Sequence, residues 1–591
     1  MIQPKLDWHL ILIVFIAALL AIGLYTGAYA TILRFLAQQE ILYFATAALS
    51  LFFAFLIACA CVILLLERDD PNRVLAWLLV LLAFPVLGFI LYLLFGQRVI
   101  KRQKLGRRLR RAYGRPGISL GAAGKVRREN DEPPGPVRLE PAEALGLTGD
   151  SVQFRLCRLI YNSGGSLLTC SNWIRVLNDG VGIFSVMLAA ISTAKHHVHL
   201  ESYILRDDEI GRAFFSLLAD KAAAGVQVRV IADGVGSLPI KRRRIRELRR
   251  QGIDLRIFSP LRLRLIRNPL NYRNHRKILV VDGKVGVVGG ANIGNDYLGL
   301  YPEVGNWRDT QVLIYGPATA DLQRLFFQDW VTSTGTLPQE APGKFYPDFS
   351  ALEDKERVAG EIGAAYLPAL GTVTQVISRV LAKNAVAGAG SPHIPAFNID
   401  RRTFLFSDTY QPAQIAASGP DSPYESIMQA YHYAISTARD SIRITSPYFI
   451  PNQSILTALK AAVLAGVNVD LLLPQNPDHQ LVYLAAMPYV EELAEDGVKV
   501  WLYRKGFIHS KIVTVDDTIA IVGTANMDQR SFALNFEVNA IMYDKKTVAE
   551  LNESFRQDLR DAELLDYAVF QRRPLRRRLL ESCCRLLSPL L

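Results

Sequence analysis

One ordered set of segments occurs twice in this chain, and that duplication limits its possible folds more than any other feature. "AISTAKHHVHLESYIL" from Ala190 is answered by "AISTARDSIRITSPYFI" from Ala434, and "AAGVQVRVIAD" from Ala223 by "LAGVNVDLLLP" from Leu464. "RQGIDLRIF" from Arg250 then pairs with "EDGVKVWLY" from Glu495, and "VVGGANIG" from Val287 with "IVGTANMD" from Ile521. Order is preserved throughout, which marks a duplicated domain rather than chance similarity. Each copy alternates helical periods with short β-branched runs, so an α/β fold with a largely parallel sheet under helices is expected. The copies occupy about 151–337 and 401–570, with a basic tail over 571–591. Residues 338–400 have no counterpart. There Tyr366, Leu370, Val373, Ile377 and Val380 recur at helical spacing, predicting a helix packed on the domain, with a membrane-surface helix as the other reading.

Each copy carries the same polar triplet, His-x-Lys-x4-Asp. The first is His275, Lys277 and Asp282 in "NHRKILVVDG"; the second is His509, Lys511 and Asp516 in "IHSKIVTVDD". Side chains alternate along a strand, so the histidine and lysine of each triplet share a face. Apolar neighbours account for the strands but not for a shared imidazole–ammonium face. Burying an ammonium is costly unless it meets an anion. Two such faces meeting across a pseudo-twofold axis would surround one pocket with two imidazoles and two ammoniums, a site suited to a phosphodiester. The lysines would neutralise non-bridging oxygens, and the imidazoles would serve as nucleophile and acid. Fixed cations can supply this stabilisation without a metal. Asn292 and Asn526 follow their histidines at equal distances as amide donors for phosphate oxygens. Asp309 and Glu537 also correspond, and each is placed to fix an imidazole tautomer. Asp282 and Asp516 are retained in the site, with a turn-bracing role weighed against substrate contact.

Ahead of the copies, residues 10–33, 41–66 and 74–95 are nearly uncharged, and each meets the roughly 20 residues needed to cross a bilayer. Residues 1–100 are therefore expected to form a transmembrane region and 101–150 a basic linker. "KRQKLGRRLRRAYGRPG" contains no acid, which places it and the large domain in the cytoplasm by the positive-inside rule. The six cysteines contain no CxxC pair. A net charge of +12 implies an anionic partner, and for an anchored chain anionic lipid is nearer than nucleic acid. "KRRRIRELRR" from Lys241 reads as a solvated helix face, and "PLRLRLIRNP" from Pro260 as an insert placed to meet lipid phosphates. "HHVH" at His196–His199 faces "DSIR" in the second copy, so no metal is assigned.

The duplicated HxKxxxxD triplets, with "GGAN" and "GTAN" behind them, resemble the phospholipase D superfamily. "RVLAWLLVLLAFPVLGFILYLLFG", "NWRDT", "FIHSKIVTVDD" and the ending "RLLSPLL" resemble the bacterial cardiolipin synthases within it. The resemblance implies a duplicated phospholipase D-like domain with pseudo-twofold symmetry in a multi-pass protein of the bacterial inner membrane, with phosphatidylglycerol and other anionic phospholipids as partners. It further implies phosphatidyl transfer between two phosphatidylglycerol molecules through a phosphatidyl-histidine, giving cardiolipin and glycerol without cofactor or metal. The first extra span and the central insert depart from that pattern. A hydrolytic phospholipase D, or transfer to another alcohol, is the nearest alternative, since water and alcohol compete for the same intermediate. A nuclease would explain the charge but not the apolar spans, and the chain lacks an interleaved aromatic nucleic-acid surface. A lipid-binding scaffold without activity is opposed by two intact triplets.

Overall fold

The computed structural model describes residues 47–52, 54–58, 61–62, 71–92, 151–258, 272–300, 305–336, 345–347, 349, 354–386, 410–422 and 424–588. The predicted span 10–33, the linker 101–150 and the insert at 260–269 lie outside these residues. The chain divides into an N-terminal unit and a larger unit that holds both copies.

The third apolar run does not form one helix. It is split into Pro71–Ala83 and Pro85–Leu91, of 13 and 7 residues. Phe84 between them leaves the helical region, at φ −133°, ψ 74°. The second helix folds back on the first. Gly88 sits so close that a β-carbon there would lie 2.5 Å from the Val80 carbonyl oxygen, and Trp77 meets Tyr92 edge to face at 5.6 Å. At 1.5 Å per residue the two helices are about 20 and 10 Å long, against a hydrocarbon core of about 30 Å. The expected span over 74–95 is thus corrected to a short apolar hairpin. Its Leu75, Leu79, Phe84 and Leu87 side chains are exposed. The run 41–66 is helical where it is described. Among the described residues, no helix is long and apolar enough to cross a membrane.

In the larger unit the first copy contributes β1 Thr169–Leu177, β2 His197–Ser202, β3 Gln227–Asp233, β4 Ile253–Phe258, β5 Ile278–Val281, β6 Val285–Gly289, β7 Asn306–Arg308 and β8 Gln311–Tyr315. The second copy contributes β9 Gln411–Ser418, β10 Ser441–Thr445, β11 Phe449–Ile450, β12 Asn468–Pro474, β13 Lys499–Tyr503, β14 Gly506–Ile508, β15 Ile512–Val515, β16 Ile519–Gly523, β17 Met527–Asp528, β18 Glu537–Met542 and β19 Ala562–Leu564. Fifteen of these form one sheet, in the order β19-β13-β12-β10-β15-β16-β18-β9-β1-β8-β6-β5-β2-β3-β4. The sheet is parallel only on its flanks, across β2–β3–β4 and β10–β12–β13, and antiparallel through its middle. The expectation of a largely parallel sheet is corrected accordingly. The triplet strands β5 and β15 each turn at once into a hairpin, with β6 and β16, and hairpins are antiparallel by construction.

The two copies are not separate bodies. β1 pairs with β9, so one sheet runs through both, and a shared core of Ile174, Val280, Val312, Ile415, Val522 and Val538 lies at its centre. Each copy then has its own helix-covered core on the outer strands. The helix over the unmatched region, Asp354–Val386, packs on Gly180–Ser192 of the first copy with Tyr366, Leu370, Val373, Ile377 and Val380 buried. The tail is not featureless either: Leu575–Arg585 is a helix docked on Gln480–Glu495.

Candidate active site

Both triplets enter the middle of the molecule just before a sheet strand begins, and each is tied to the opposite copy. The His275 N–H donates to the Phe536 carbonyl at 3.0 Å, and the His509 N–H donates to the Arg308 carbonyl at 2.7 Å. The next residue along each accepting strand is a carboxylate, Glu537 in one case and Asp309 in the other. Each carboxylate holds the ring of that same histidine. His275 Nδ1 lies 3.0 Å from both Glu537 oxygens, and His509 Nδ1 lies 2.8 Å from Asp309 Oδ2. Both expected carboxylates therefore reach imidazoles, but crosswise between the copies. With Nδ1–H donated to a carboxylate, the neutral ring keeps its lone pair on Nε2. Among the described residues, no partner is recorded for either Nε2.

The lysines complete one electrostatic unit. Lys277 Nζ donates to the His275 carbonyl at 2.8 Å, and Lys511 Nζ donates to that of His509. Only 3% of Lys277 and 1% of Lys511 is exposed, so both ammoniums have lost most of their hydration. Burial pushes Lys277 down to about 7, with Glu537 opposing the fall and Lys511 adding to it. Burial likewise pushes Lys511 down to about 8, against Asp309 and Glu537. His275 is driven to about 4 by burial first, while Glu537 resists and Lys277 and the other copy's Lys511 push further. His509 is lowered by burial, then by Lys511, and also by Lys277 across the interface. Each lysine thus acts on the other copy's imidazole, as expected of one pocket rather than two. Such a pocket favours an anion and a neutral nucleophile together.

Aromatic rings wall the pair. Tyr203 meets the His275 ring edge to face at 5.0 Å and lies under Lys277 Nζ at 5.5 Å; Trp307 lies 5.3 Å from the His509 ring. The amides are less free than expected. Asn292 accepts from the Ile204 N–H at 2.9 Å and donates to the Tyr297 hydroxyl at 2.5 Å. The Asn526 backbone N–H donates to Ser531 Oγ at 3.1 Å, while the buried Oδ1 of its side chain has no partner among the described residues. The structure does not bring Asp282 and Asp516 to the pocket. Seven residues beyond their histidines, each takes three backbone N–H groups. Asp282 accepts from Lys195, His196 and His197 at 2.8 Å, and Asp516 from Arg439, Asp440 and Ser441 at 2.8 to 3.0 Å. They brace the starts of β2 and β10 instead. The "HHVH" imidazoles are engaged elsewhere: His197 Nε2 is 3.0 Å from Gln323 Oε1, and Gln323 Nε2 is 2.7 Å from His199 Nδ1, among Phe326, Phe327 and Phe345.

Sequence reasoning missed the group behind His275. Arg276 points away from the pocket, donating to Asp329 at 2.6 Å and to the Glu537 carbonyl at 3.2 Å. Glu201 lies beside this pair, fully buried and held by Asn274, and burial followed by the nearby Asp329 raises its carboxyl well above the usual range. The second copy has Ser510 where the first has Arg276, so comparing the copies masked the residue. Tyr203 was hidden in the same way, since the second copy has Pro447 at that place.

Two carboxylate-braced His–Lys pairs, one from each half of a duplicated α/β domain and converging on one pocket, define a phospholipase D-like protein. The comparisons agree. A family described as "Cardiolipin synthase, PLD-like domain" matches residues 187–330 and 431–559, and one described as "Phospholipase_D-nuclease N-terminal" matches 54–97. The chain belongs to the cardiolipin synthase family. It is 38% identical to the cardiolipin synthase of Geobacillus kaustophilus over 91% of this chain and 94% of that one. It is 36% identical to the major cardiolipin synthase of Bacillus subtilis over 92% and 98%. The crystal structure of phosphatidylserine synthase from Haemophilus influenzae shares the fold, with a TM-score of 0.52 at 14% identity over 74% of this chain and all of that one.

Proposed function

We propose that this chain transfers a phosphatidyl group from one phosphatidylglycerol to another, making cardiolipin and releasing glycerol. The observation that carries the reading is the crossed bracing: one phosphorus between the two rings would face an Nε2 from each copy, with two buried ammoniums beside it. His275, kept neutral by burial, attacks the phosphorus through Nε2. The P–O bond to the headgroup glycerol breaks as His509, which the bound phosphodiester favours in its protonated form, gives its Nε2 proton to the departing oxygen. In the second half-reaction His509 takes the proton from a headgroup hydroxyl of another phosphatidylglycerol. That oxygen attacks, and the P–N bond breaks. Lys277 and Lys511 neutralise the non-bridging oxygens throughout, and the bound phosphodiester restores their protonation. One phosphodiester replaces another, so the exchange needs no nucleotide.

The substrates are membrane lipids, and the apolar segments 10–33 and 41–66 together with the hairpin Pro71–Leu91 are read as the bilayer attachment. The basic stretch after Phe95 supports a cytoplasmic position for the catalytic unit. Incubating the purified chain with phosphatidylglycerol tests the function. Cardiolipin and glycerol in equal amounts are expected, whereas phosphatidic acid as the sole lipid product would overturn transfer in favour of hydrolysis.

A further inference from the structure

The helix Leu575–Arg585 has a buried side and a side that the protein leaves bare. Glu581, Cys584 and, just past the helix, Ser588 are buried against Gln480–Glu495. Arg573 pairs with Glu491 at 2.7 Å, Arg585 with Glu492 at 3.2 Å, and the Tyr489 hydroxyl lies 3.3 Å from Ser588 Oγ. At 100° per residue, Leu575, Leu579 and Leu586 fall in one row directly opposite that buried side. They are 70%, 57% and 79% exposed. A helix built only to pack on its neighbour would carry polar groups there. Arg572 and Arg576 border the row, exposed and without an ion-pair partner among the described residues, and Arg578 flanks its other side. An outward leucine row between arginines suits the boundary of an anionic bilayer, where leucines enter the acyl region and guanidiniums meet phosphates.

The helix beneath connects this row to the pocket. Gln480–Glu495 begins immediately after Asp478 and His479. Asp478 accepts from the Tyr448 hydroxyl at 2.5 Å and bears electrostatically on Lys511. We propose that Leu575–Arg585 lies in the plane of an anionic membrane and, through Gln480–Glu495, holds the second-copy rim of the pocket against the lipid surface. The proposal rests on the phosphatidyl-transfer reading only for the choice of lipid.

Cys583 supplies the probe, since it is exposed and lies on the outward side between Leu579 and Leu586. Full-length protein, labelled with a thiol-reactive fluorophore, is reconstituted into vesicles of phosphatidylglycerol and phosphatidylcholine doped with nitroxide-labelled lipid. Identically treated Cys583→Ser protein subtracts the signal of the other cysteines. Quenching of the Cys583 signal is expected, weaker in phosphatidylcholine alone, and lost when Leu575, Leu579 and Leu586 are all changed to Glu. That triple variant should still turn over phosphatidylglycerol in detergent micelles, which separates this proposal from the catalytic one. An unquenched Cys583 in active, reconstituted protein overturns the membrane contact. Equal quenching in phosphatidylcholine alone overturns its anionic character. Shielding that scales with protein rather than lipid assigns the row to a second copy of the chain and overturns the proposal.

Discussion

At the scale of single residues, the pocket is a balance between burial and charge. Both lysines give up hydration without a bound anion, and their low affinity for protons follows from that. In the free protein Lys277 loses its charge near 7 and Lys511 near 8, so anion binding weakens as pH rises through that range. A bound phosphodiester raises both values again. The expected result is that kcat/KM for phosphatidylglycerol falls between about pH 7 and 8 while kcat holds to higher pH. On the acid side His275 stays neutral down to about 4, so no fall in nucleophile is expected between pH 5 and 7. Steady-state kinetics across pH 5 to 10 check this, and a kcat/KM flat from 7 to 9 contradicts it. The two histidines, two lysines and both carboxylates were legible because each occurs twice in register. The crossing of the carboxylates was not, because a repeat shows which residues correspond but not which ones touch. Arg276 and Glu201 were hidden for a related reason: they serve one copy only.

At the scale of elements, the triplet is two devices on one strand. Its histidine–lysine end faces the pocket, and its aspartate end, about 20 Å further on at roughly 3.3 Å per residue, ties down the neighbouring strand. Asp282 and Asp516 adopt φ of 52° and 51°, in the left-handed region that aspartate tolerates better than most residues. Asp282→Ala and Asp516→Ala each strand three N–H groups, and each is expected to lower stability by about 2–4 kcal/mol. The activity of the protein that remains folded should stay within about two-fold, because neither carboxylate approaches the phosphate. Denaturant titration beside kinetics per folded molecule tests this. Lost activity with unchanged stability would return the aspartates to the chemistry. The apolar run over 74–95 shows the opposite limit of sequence reading. Hydropathy counts residues, and it passed over the break at Phe84 that divides the run into two short helices.

At the scale of the whole molecule, the duplication has become one body. β1 pairs with β9, β7 with β14, and Arg308 of the first copy holds Asp558 of the second at 2.9 Å. The α/β class was readable from alternating periods. The fused, mostly antiparallel sheet was not, since strand order depends on contacts far apart in the chain. A shared sheet and core imply shared cooperativity. Amides of β5 and β15 should exchange hydrogen with similar protection by native-state hydrogen exchange, and protection that differs widely between the copies would contradict a single cooperative unit.

The central claim is that one phosphorus atom passes between His275 and His509. The most direct measurement is an acid-quenched reaction with phosphatidylglycerol labelled at phosphorus, followed by mapping of any label bound to the chain. With His509→Ala, which removes the proton donor of the first half-reaction and the base of the second, label is predicted on His275 alone. With His275→Ala none should remain bound. Label on His509 would reverse the roles. A chain that makes cardiolipin at the parent rate with either imidazole removed would contradict the claim outright.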